Sequence, residues 1–319
     1  MSNKKIAIID LGTNTFHLLI ANIDGHDFEI LVRERVAVKI GKDGISKGLI
    51  TEEAQQRAIN AIKNFKEKID QYQITEIYAT ATSAIRNARN GKKLAKKIKE
   101  ETSIDIRIIS GDAEAEYIYY GVKIALSLKG RTSLIMDIGG GSVEFIICNE
   151  DKIFWKQSFE IGAQRLLDLF HYHDPILKEE IIKLDNFLEK KLQPLLEASK
   201  IFKPEVLIGS SGTFDTLAEI YSLRYKLSRT TEAYESPLPI EDYYSIYEDI
   251  IHKTSEERMQ IPGMIEMRVE MIVVACALIN FVLEKLMIKE IRISAFSLKE
   301  GVLYSIVNSL QKDLSQKDQ

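Results

Sequence analysis

Two short turns rich in glycine and hydroxyl residues constrain the fold of this chain more than any other feature. The first is Asp10-Leu-Gly-Thr-Asn-Thr15, and the second is Asp137-Ile-Gly-Gly-Gly-Ser142. Each aspartate ends an apolar run, and another apolar run follows each turn. This pattern predicts a strand, a tight turn and a second strand. Because the pattern occurs twice, the sequence predicts a duplicated β-hairpin unit and two domains.

The same residue types suit the binding of a phosphate chain. Glycines let backbone N–H groups approach an anion closely. Thr13, Asn14, Thr15 and Ser142 add hydroxyl and amide donors for phosphate oxygens. An aspartate can hold a hydrated divalent cation. The alternative is that both segments are plain hairpin turns in which aspartate only favours the turn.

Hydrophobic patterning orders the remaining elements as βββαβαβα in the first half, and the second half repeats this order. Predicted strands lie near residues 4–10, 15–23, 27–39, 77–80, 106–109, 132–137, 142–149, 151–159, 206–208 and 291–293. Predicted helices lie near residues 51–71, 94–101, 112–128 (with Asp112 as its cap), 162–171, 178–200, 240–253, 268–286 and 298–311, and one more begins after Gly212-Thr213.

These elements predict two α/β domains at residues 1–125 and 126–299, each a mixed five-stranded sheet with helices and with a cleft between the domains. The final helix, within residues 300–319, is expected to pack back on the first domain.

Composition narrows the functional class. The 319 residues suffice for two domains, and the net charge of −4 gives no global positive field for nucleic acid. Cys148 and Cys276 lie in apolar runs, as reduced core cysteines of a cytosolic protein do. The apolar stretch from Met271 to Leu283 is too short to span a bilayer and predicts a core helix. We expect a cytoplasmic protein without a signal peptide, a nucleic-acid partner or a membrane partner.

Five stretches carry a family resemblance over essentially the whole chain. They are Asp10–Thr15, Thr80–Asn90, Ser110-Gly-Asp-Ala-Glu-Ala115, Asp137–Glu144 and Gly209-Ser-Ser-Gly-Thr213. In this order and spacing they resemble the exopolyphosphatase/guanosine pentaphosphate phosphohydrolase family of the actin, hexokinase and Hsp70 superfamily. The family usually has Ser where this chain has Thr13 and Thr15, so the hydroxyl is retained. The resemblance implies two ribonuclease H-like (actin-like ATPase) domains.

The resemblance also implies an activity and its residues. It implies a magnesium-dependent hydrolase, or one using another divalent cation, that releases the terminal phosphate of inorganic polyphosphate, guanosine pentaphosphate or both. Glu114 is implied to orient and deprotonate the attacking water, with Asp137 and Glu144 as catalytic partners. The implied metal ligands are Asp10, Asp137 and Glu144. The implied phosphate ligands are Gly12, Thr13, Asn14, Thr15, Arg86, Gly139, Gly140, Gly141, Ser142, Gly209, Ser211, Gly212 and Thr213.

A basic run follows the Arg86 motif. It comprises Arg86, Arg89, Lys92, Lys93, Lys96, Lys97 and Lys99. One interpretation is a solvated helix face, and the other is a surface that captures a polyanion. The run has no interleaved aromatic residues, which argues against single-stranded nucleic acid as a ligand.

Two other functions stay open at this stage. One is a kinase or ATPase of the same fold, and the other is a non-catalytic sensor of polyphosphate or of the guanosine alarmone. A sensor has no need of Glu114. Longer family members carry an additional C-terminal helical domain, so we expect this shorter chain to bind long polymers less well. A homodimer is a further expectation.

Overall fold

The computed structural model describes residues 4–25, 27–227 and 234–317. The chain divides into two compact units. The first comprises the residues up to Gly121 together with those from Leu298 onwards, and the second comprises Val122–Ser297. The boundaries predicted at residues 125 and 299 lie a few positions later. A continuous helix runs through the first boundary, so no change in composition marks it.

The first unit contains a five-stranded mixed sheet. Its strands are β1 (Lys4–Leu11), β2 (Thr15–Asp24), β3 (Asp27–Ala37), β4 (Ile77–Ala81) and β5 (Ile106–Ile108). The spatial order is β3-β2-β1-β4-β5, in which β1, β2 and β3 are antiparallel and β4 and β5 run parallel to β1. This is the ribonuclease H-like arrangement that the family resemblance implies. The central strand β1 is buried on both faces from Ile6 to Ile9, as expected of a strand with neighbours on each side and helices above and below.

Five helices belong wholly or mainly to this unit. They are α1 (Glu52–Gln71), α2 (Ser83–Asn87), α3 (Gly91–Thr102), α4 (Gly111–Ala125) and the final helix α12 (Leu298–Lys317). Thr51 caps α1 as predicted, because its Oγ1 accepts a hydrogen bond from the Ala54 N–H at 3.2 Å. The prediction that Asp112 caps α4 is wrong. Ser110 fills that role, accepting from the Ala113 N–H at 3.2 Å, and Asp112 lies within the first turn.

The last helix is anchored in the first unit. It packs against β1 and β2, and its first turn carries Glu300, whose side chain is fully buried. The Glu300 Oε1 accepts a hydrogen bond from Arg33 Nη1 of β3 at 2.9 Å. A buried carboxylate without such a partner would be costly, so this ion pair fixes where α12 begins.

The second unit repeats the sheet and extends it. Its strands are β6 (Ser133–Ile138), β7 (Val143–Cys148), β8 (Ile153–Phe159), β9 (Val206–Ser210), β10 (Glu235–Pro237) and β11 (Ile291–Ser294), in the spatial order β10-β11-β9-β6-β7-β8. We predicted five strands here, and the structure has six. The edge strand β10 is only three residues long and has no hydrophobic alternation to mark it. It is held through Arg292, which donates two hydrogen bonds to the Glu235 carboxylate at 2.6 and 2.8 Å.

The described residues of this unit also form seven helices. They are α5 (Ala163–Phe170), α6 (Lys178–Lys191), α7 (Gln193–Phe202), α8 (Gly212–Arg224), α9 (Ile240–His252), α10 (Ser255–Met259) and α11 (Met271–Leu286). The single helix predicted at 178–200 is two helices. The break falls at Leu192, because Pro194 in the first turn of α7 has no N–H to continue the helix.

The apolar helix α11 is a core element, as predicted. Its residues from Met271 to Ile279 are all buried, and it packs against α5, α6 and α9. None of the helices within the described ranges is long and apolar enough to cross a membrane.

Candidate active site

The first glycine turn joins β1 to β2 in the first unit and is closed by its own backbone. The Gly12 N–H donates to the Thr15 carbonyl at 3.2 Å. A Cβ on residue 12 would lie 2.8 Å from that carbonyl oxygen, so glycine is required by the close approach. Thr13, Asn14 and Thr15 are all buried. Asp10 is the next-to-last residue of β1 and lies opposite His17 on β2 and Thr80 on β4 in the sheet register. The turn therefore presents a fixed backbone next to a carboxylate.

The second glycine turn joins β6 to β7 in the second unit and is closed by an equivalent backbone hydrogen bond. The Gly139 N–H donates to the Ser142 carbonyl at 3.0 Å. The carbonyls of Gly139 and Gly140 accept from Ala163 and Gln164 in the first turn of α5, each at 2.9 Å. Arg165, which the sequence analysis did not identify, donates from Nε to the Gly141 carbonyl at 2.9 Å. The carbonyl side of the turn is thus fully engaged by α5.

Arg86 and Glu114 form an ion pair in the first unit. Arg86 ends the short helix α2, and Glu114 lies in the first turn of α4. The Arg86 Nη1 lies 2.6 Å from the Glu114 Oε2, and the two side chains are only 15% and 9% exposed. The sequence analysis assigned the two residues separate roles, to phosphate and to water. The structure brings them together, so Arg86 fixes the orientation of the Glu114 carboxylate.

Glu114 and Glu116, two acidic side chains of α4, have different partners. Glu116 accepts a hydrogen bond from the Tyr120 hydroxyl at 3.1 Å, a neutral donor one helical turn away. Glu114 instead has a buried guanidinium as its partner. A paired, buried carboxylate in a helix start is poorly explained by the helix dipole alone, which a solvated carboxylate serves equally well.

Asp137 is the centre of a hydroxyl cluster in the second unit. Its Oδ2 accepts hydrogen bonds from three serines, namely Ser210 at 2.7 Å, Ser211 at 2.7 Å and Ser297 at 2.5 Å. Asp137 is 5% exposed. Three donors on one oxygen hold the side chain in a single orientation and satisfy a buried charge. Ser210 and Ser297 were not predicted as site residues. Ser297 lies in a turn whose sequence has no pattern that singles it out.

Glu144 lies directly opposite Asp137 in the antiparallel pairing of β6 with β7. Opposed residues of such a pair share one face of the sheet, so two carboxylates lie side by side. Glu144 is 1% exposed, and its Oε1 accepts from the Ser158 hydroxyl at 2.6 Å. Two neighbouring buried carboxylates repel each other unless a cation lies close to both.

The carboxylates of this site suit magnesium, provided that waters and substrate phosphates supply the remaining ligands. Within the described ranges, no group of three or more His, Cys, Asp or Glu side chains is placed to hold a metal ion. Magnesium usually binds through one or two carboxylates, several waters and substrate phosphates. Asp137 and Glu144 supply two carboxylates of that kind. Asp10 lies in the other unit, at the end of β1.

The turn from Gly209 to Thr213 places the start of α8 beside a guanidinium. A Cβ on Gly212 would lie 1.9 Å from the Nη2 of Arg268, so the arginine lies directly against the backbone at the helix N-terminus. The helix dipole and Arg268 are both positive there, which favours an anion. The sequence analysis missed Arg268, since a single arginine before an apolar helix has no distinguishing pattern.

Ser211 has a strained backbone at this turn. Its φ is 70° and its ψ is 177°, a region that is essentially restricted to glycine. Its hydroxyl donates to Asp137 and caps no helix N–H. Ser211, predicted as a phosphate ligand, is therefore a partner of Asp137 in this structure. An observed outlier of this kind points to a functional demand at the residue.

We expect Ser211→Gly to be more stable than Ser211→Ala by about 1–2 kcal/mol. Both changes remove the hydroxyl bond to Asp137, but only glycine relieves the backbone strain. The measurement is the free energy of unfolding in urea. Ser210 is the matched control, because it also bonds Asp137 and lies in β9 without a positive φ. At position 210 the alanine variant should have the larger free energy of unfolding. If glycine and alanine rank in the same order at both positions, backbone strain at Ser211 is contradicted.

Known proteins resemble this chain over nearly all of its length. It matches the Ppx/GppA phosphatase family over residues 19–310. The crystal structure of an exopolyphosphatase from Cytophaga hutchinsonii is 44% identical, with a TM-score of 0.93 over 96% of this chain and 98% of that chain. The Ppx/GppA family member of Aquifex aeolicus is 27% identical, with a TM-score of 0.79 over 97% of this chain and 99% of that chain.

A relative found by sequence agrees with these structures. A Haemophilus influenzae protein, provisionally named an exopolyphosphatase, is 29% identical over 309 residues, which cover 97% of this chain and 93% of that protein. With a family match that extends across both units, the chain belongs to the Ppx/GppA phosphatase family.

Proposed function

We propose that this protein hydrolyses the terminal phosphoanhydride bond of inorganic polyphosphate. The single observation that carries the proposal is the buried ion pair of Arg86 with Glu114 at the start of α4. Membership of a phosphatase family and the likeness to an exopolyphosphatase over 96% of the chain support it. Guanosine pentaphosphate ends in the same kind of bond, and we propose it as a second substrate.

Glu114 positions the attacking water in this proposal. Transfer of a phosphoryl group to water needs an aligned nucleophile and compensation of charge more than covalent help. The water oxygen bonds to the terminal phosphorus, its proton passes to the Glu114 carboxylate, and the bridging oxygen leaves with the bonding electrons. Arg86 holds one carboxylate oxygen, so the side chain keeps one orientation through the reaction.

The glycine turns and the α8 start bind phosphate oxygens in this proposal. Backbone N–H groups near Gly12, Gly139 and Gly212 supply the donors, and Arg268 adds positive charge beside Gly212. We further propose that Asp137 and Glu144 hold magnesium or another divalent cation. When bound, such a cation neutralises negative charge on phosphate oxygens.

Different observations bear on the two alternative functions. A kinase or ATPase would also use a phosphate clamp, but the family to which the chain belongs favours hydrolysis. A sensor would conserve the binding turns without needing the buried Arg86–Glu114 pair. A cytoplasmic location and a homodimer stay predictions.

The proposed activity predicts a specific substrate profile. Purified protein with magnesium should release phosphate from polyphosphate, and from guanosine pentaphosphate, faster than from ATP at equal concentration. The measurement is phosphate release for each substrate across a range of polyphosphate lengths. Faster turnover of ATP would favour the kinase or ATPase alternative, and binding without release would favour the sensor.

Replacing Glu114 with Gln should lower kcat by about 10²–10⁴-fold and leave substrate binding nearly intact. The amide keeps the shape of the side chain but takes no proton and loses its charge-assisted bond to Arg86. Initial rates and a separate binding titration measure the two effects. Glu116→Gln is the matched control on the same helix, and its kcat should stay within about twofold of the wild type because it keeps the Arg86–Glu114 pair and changes an acceptor of the Tyr120 hydroxyl. A near-normal Glu114→Gln enzyme would remove Glu114 from the mechanism.

Replacing Asp137 with Asn should raise the magnesium concentration for half-maximal activity by about tenfold or more. The amide can still accept from the three serines, so the change removes charge more than structure. A magnesium titration of phosphate release measures the shift. An unchanged titration midpoint would show that Asp137 only shapes the turn.

A further inference from the structure

The first unit concentrates positive charge in two segments that are distant in sequence. Residues 38–57 and 86–99 together contain eleven Lys and Arg but only three Asp and Glu, in a chain whose net charge is −4. The three acidic residues are Asp43, Glu52 and Glu53. The exposed basic side chains of these segments are Lys39, Lys42, Lys47, Arg57, Arg89, Lys92, Lys93, Lys96, Lys97 and Lys99. We call this set the basic track.

Hydrogen bonds connect the track to the first glycine turn. The Asn14 carbonyl accepts from the N–H groups of Val38 and Lys39 at 3.0 and 2.9 Å, and the Thr13 carbonyl accepts from Gly41 at 3.2 Å. Arg57 donates from its guanidinium to the Val38 and Lys39 carbonyls at 2.8 and 3.0 Å. The loop that carries Lys39, Lys42 and Lys47 is therefore fixed directly against the proposed phosphate-binding turn.

A second set of bonds connects the same loop to α3. The Arg89 N–H donates to the Gly48 carbonyl at 3.0 Å, and its guanidinium donates to the Lys47 carbonyl at 3.2 Å. Asn90 and Ile50 exchange two hydrogen bonds at 2.8 and 3.0 Å. The basic residues thus form one continuous surface from the glycine turn through the loop to the lysines of α3.

The lysines of this surface are little neutralised by the protein. Among the described residues, no carboxylate forms an ion pair with Lys42, Lys47, Lys92 or Lys93. Two α3 lysines do have carboxylate partners, Lys96 with Glu100 at 3.6 Å and Lys99 with Asp105 at 3.0 Å. All four of these side chains are more than half exposed, where ion pairs contribute little. The α3 lysines are carried on a helix whose opposite face is anchored by buried Leu94 and Ile98. The charge is therefore available to a ligand on a rigid base.

We propose that the basic track binds the part of a long inorganic polyphosphate chain that extends beyond the glycine turn. This inference rests on the proposed function for its ligand. Polyphosphate carries about one negative charge for each phosphate and offers no bases to stack, which matches a surface of flexible cations without aromatic residues. Exposed charges act over about 8–10 Å at ordinary salt, so a chain lying along the track interacts with several lysines at once.

The length of the substrate decides how much of the track it contacts. A long polyphosphate chain that begins in the glycine turn reaches the lysines of the loop and of α3. Short substrates end within the turn and reach few of these lysines.

The test is a combined replacement of Lys92, Lys93, Lys96 and Lys97 by Gln. Binding of fluorescently labelled long-chain polyphosphate and of tripolyphosphate is measured in the Glu114→Gln background, so that hydrolysis does not interfere. The affinity for the long chain relative to tripolyphosphate should fall by about tenfold, and its dependence on salt should become shallower. Adding Lys42→Gln and Lys47→Gln should lower the ratio further.

The four lysines of α6 provide the matched control. Replacing Lys178, Lys183, Lys190 and Lys191 by Gln changes the net charge equally on an exposed helix of the second unit. This control should change the affinity ratio by less than about twofold. The proposal would be overturned if the α3 and α6 replacements lowered the affinity ratio equally, or if neither replacement lowered it. Tighter wild-type binding to single-stranded RNA of equal phosphate number would overturn polyphosphate as its ligand.

The outcome is separable from that of the proposed function. If the wild type hydrolyses no polyphosphate but the α3 variant still loses length-dependent binding, the proposed activity fails and the track stands. If hydrolysis is present and the affinity ratio is unchanged, the activity stands and the track fails.

Discussion

The stabilisation of Asp137 is the interaction on which the second unit depends most. A carboxylate that is 95% buried must be hydrogen-bonded or paired, because otherwise its desolvation would oppose folding. Three hydroxyls meet that demand, and they come from the end of β9, the residue before α8 and the turn that follows β11. Since β6, β9 and β11 run parallel, their carboxyl ends lie along one edge of the sheet, where ligands of α/β proteins usually bind. One buried charge therefore fixes the geometry of three strand ends.

In the first unit, ion pairs rather than hydroxyl groups stabilise the buried carboxylates. Glu114 is held by Arg86, and Glu300 by Arg33, and in both cases the carboxylate is the more buried partner. Buried ion pairs contribute little net stability, because desolvation offsets most of the attraction. Stability alone thus does not explain an Arg86–Glu114 pair at a helix start. Orientation of a carboxylate is the property that such a pair supplies, and a water-positioning residue needs that property. The Glu300 pair, by contrast, joins α12 to β3 and serves assembly of the unit.

The sequence predicted elements whose signal is local, and it missed contacts that join distant segments. The hairpins at Asp10 and Asp137, the Thr51 cap and the buried helix α11 each follow from a few adjacent residues. The pairing of Arg86 with Glu114, and of Ser297 with Asp137, depends on how the chain folds back over 28 and 160 positions. Hydrophobic periodicity carries no information about which polar groups meet. The strand β10 was not predicted for a related reason. Its three residues have no strand pattern of their own and are held by Arg292 on another strand.

Charge in this molecule is divided between two tasks. The buried carboxylates and their hydroxyl or guanidinium partners are few, fixed and shielded from solvent, as chemistry at a single bond requires. The lysines of the loop after β3 and of α3 are numerous, exposed and flexible, and they suit a ligand whose length and conformation vary. Within the first unit, N–H groups of the loop donate hydrogen bonds to the Thr13 and Asn14 carbonyls and so connect the lysine-bearing loop to the glycine turn. A chain with a net charge of −4 can therefore attract a polyanion, because binding depends on where its positive charges lie and not on their sum.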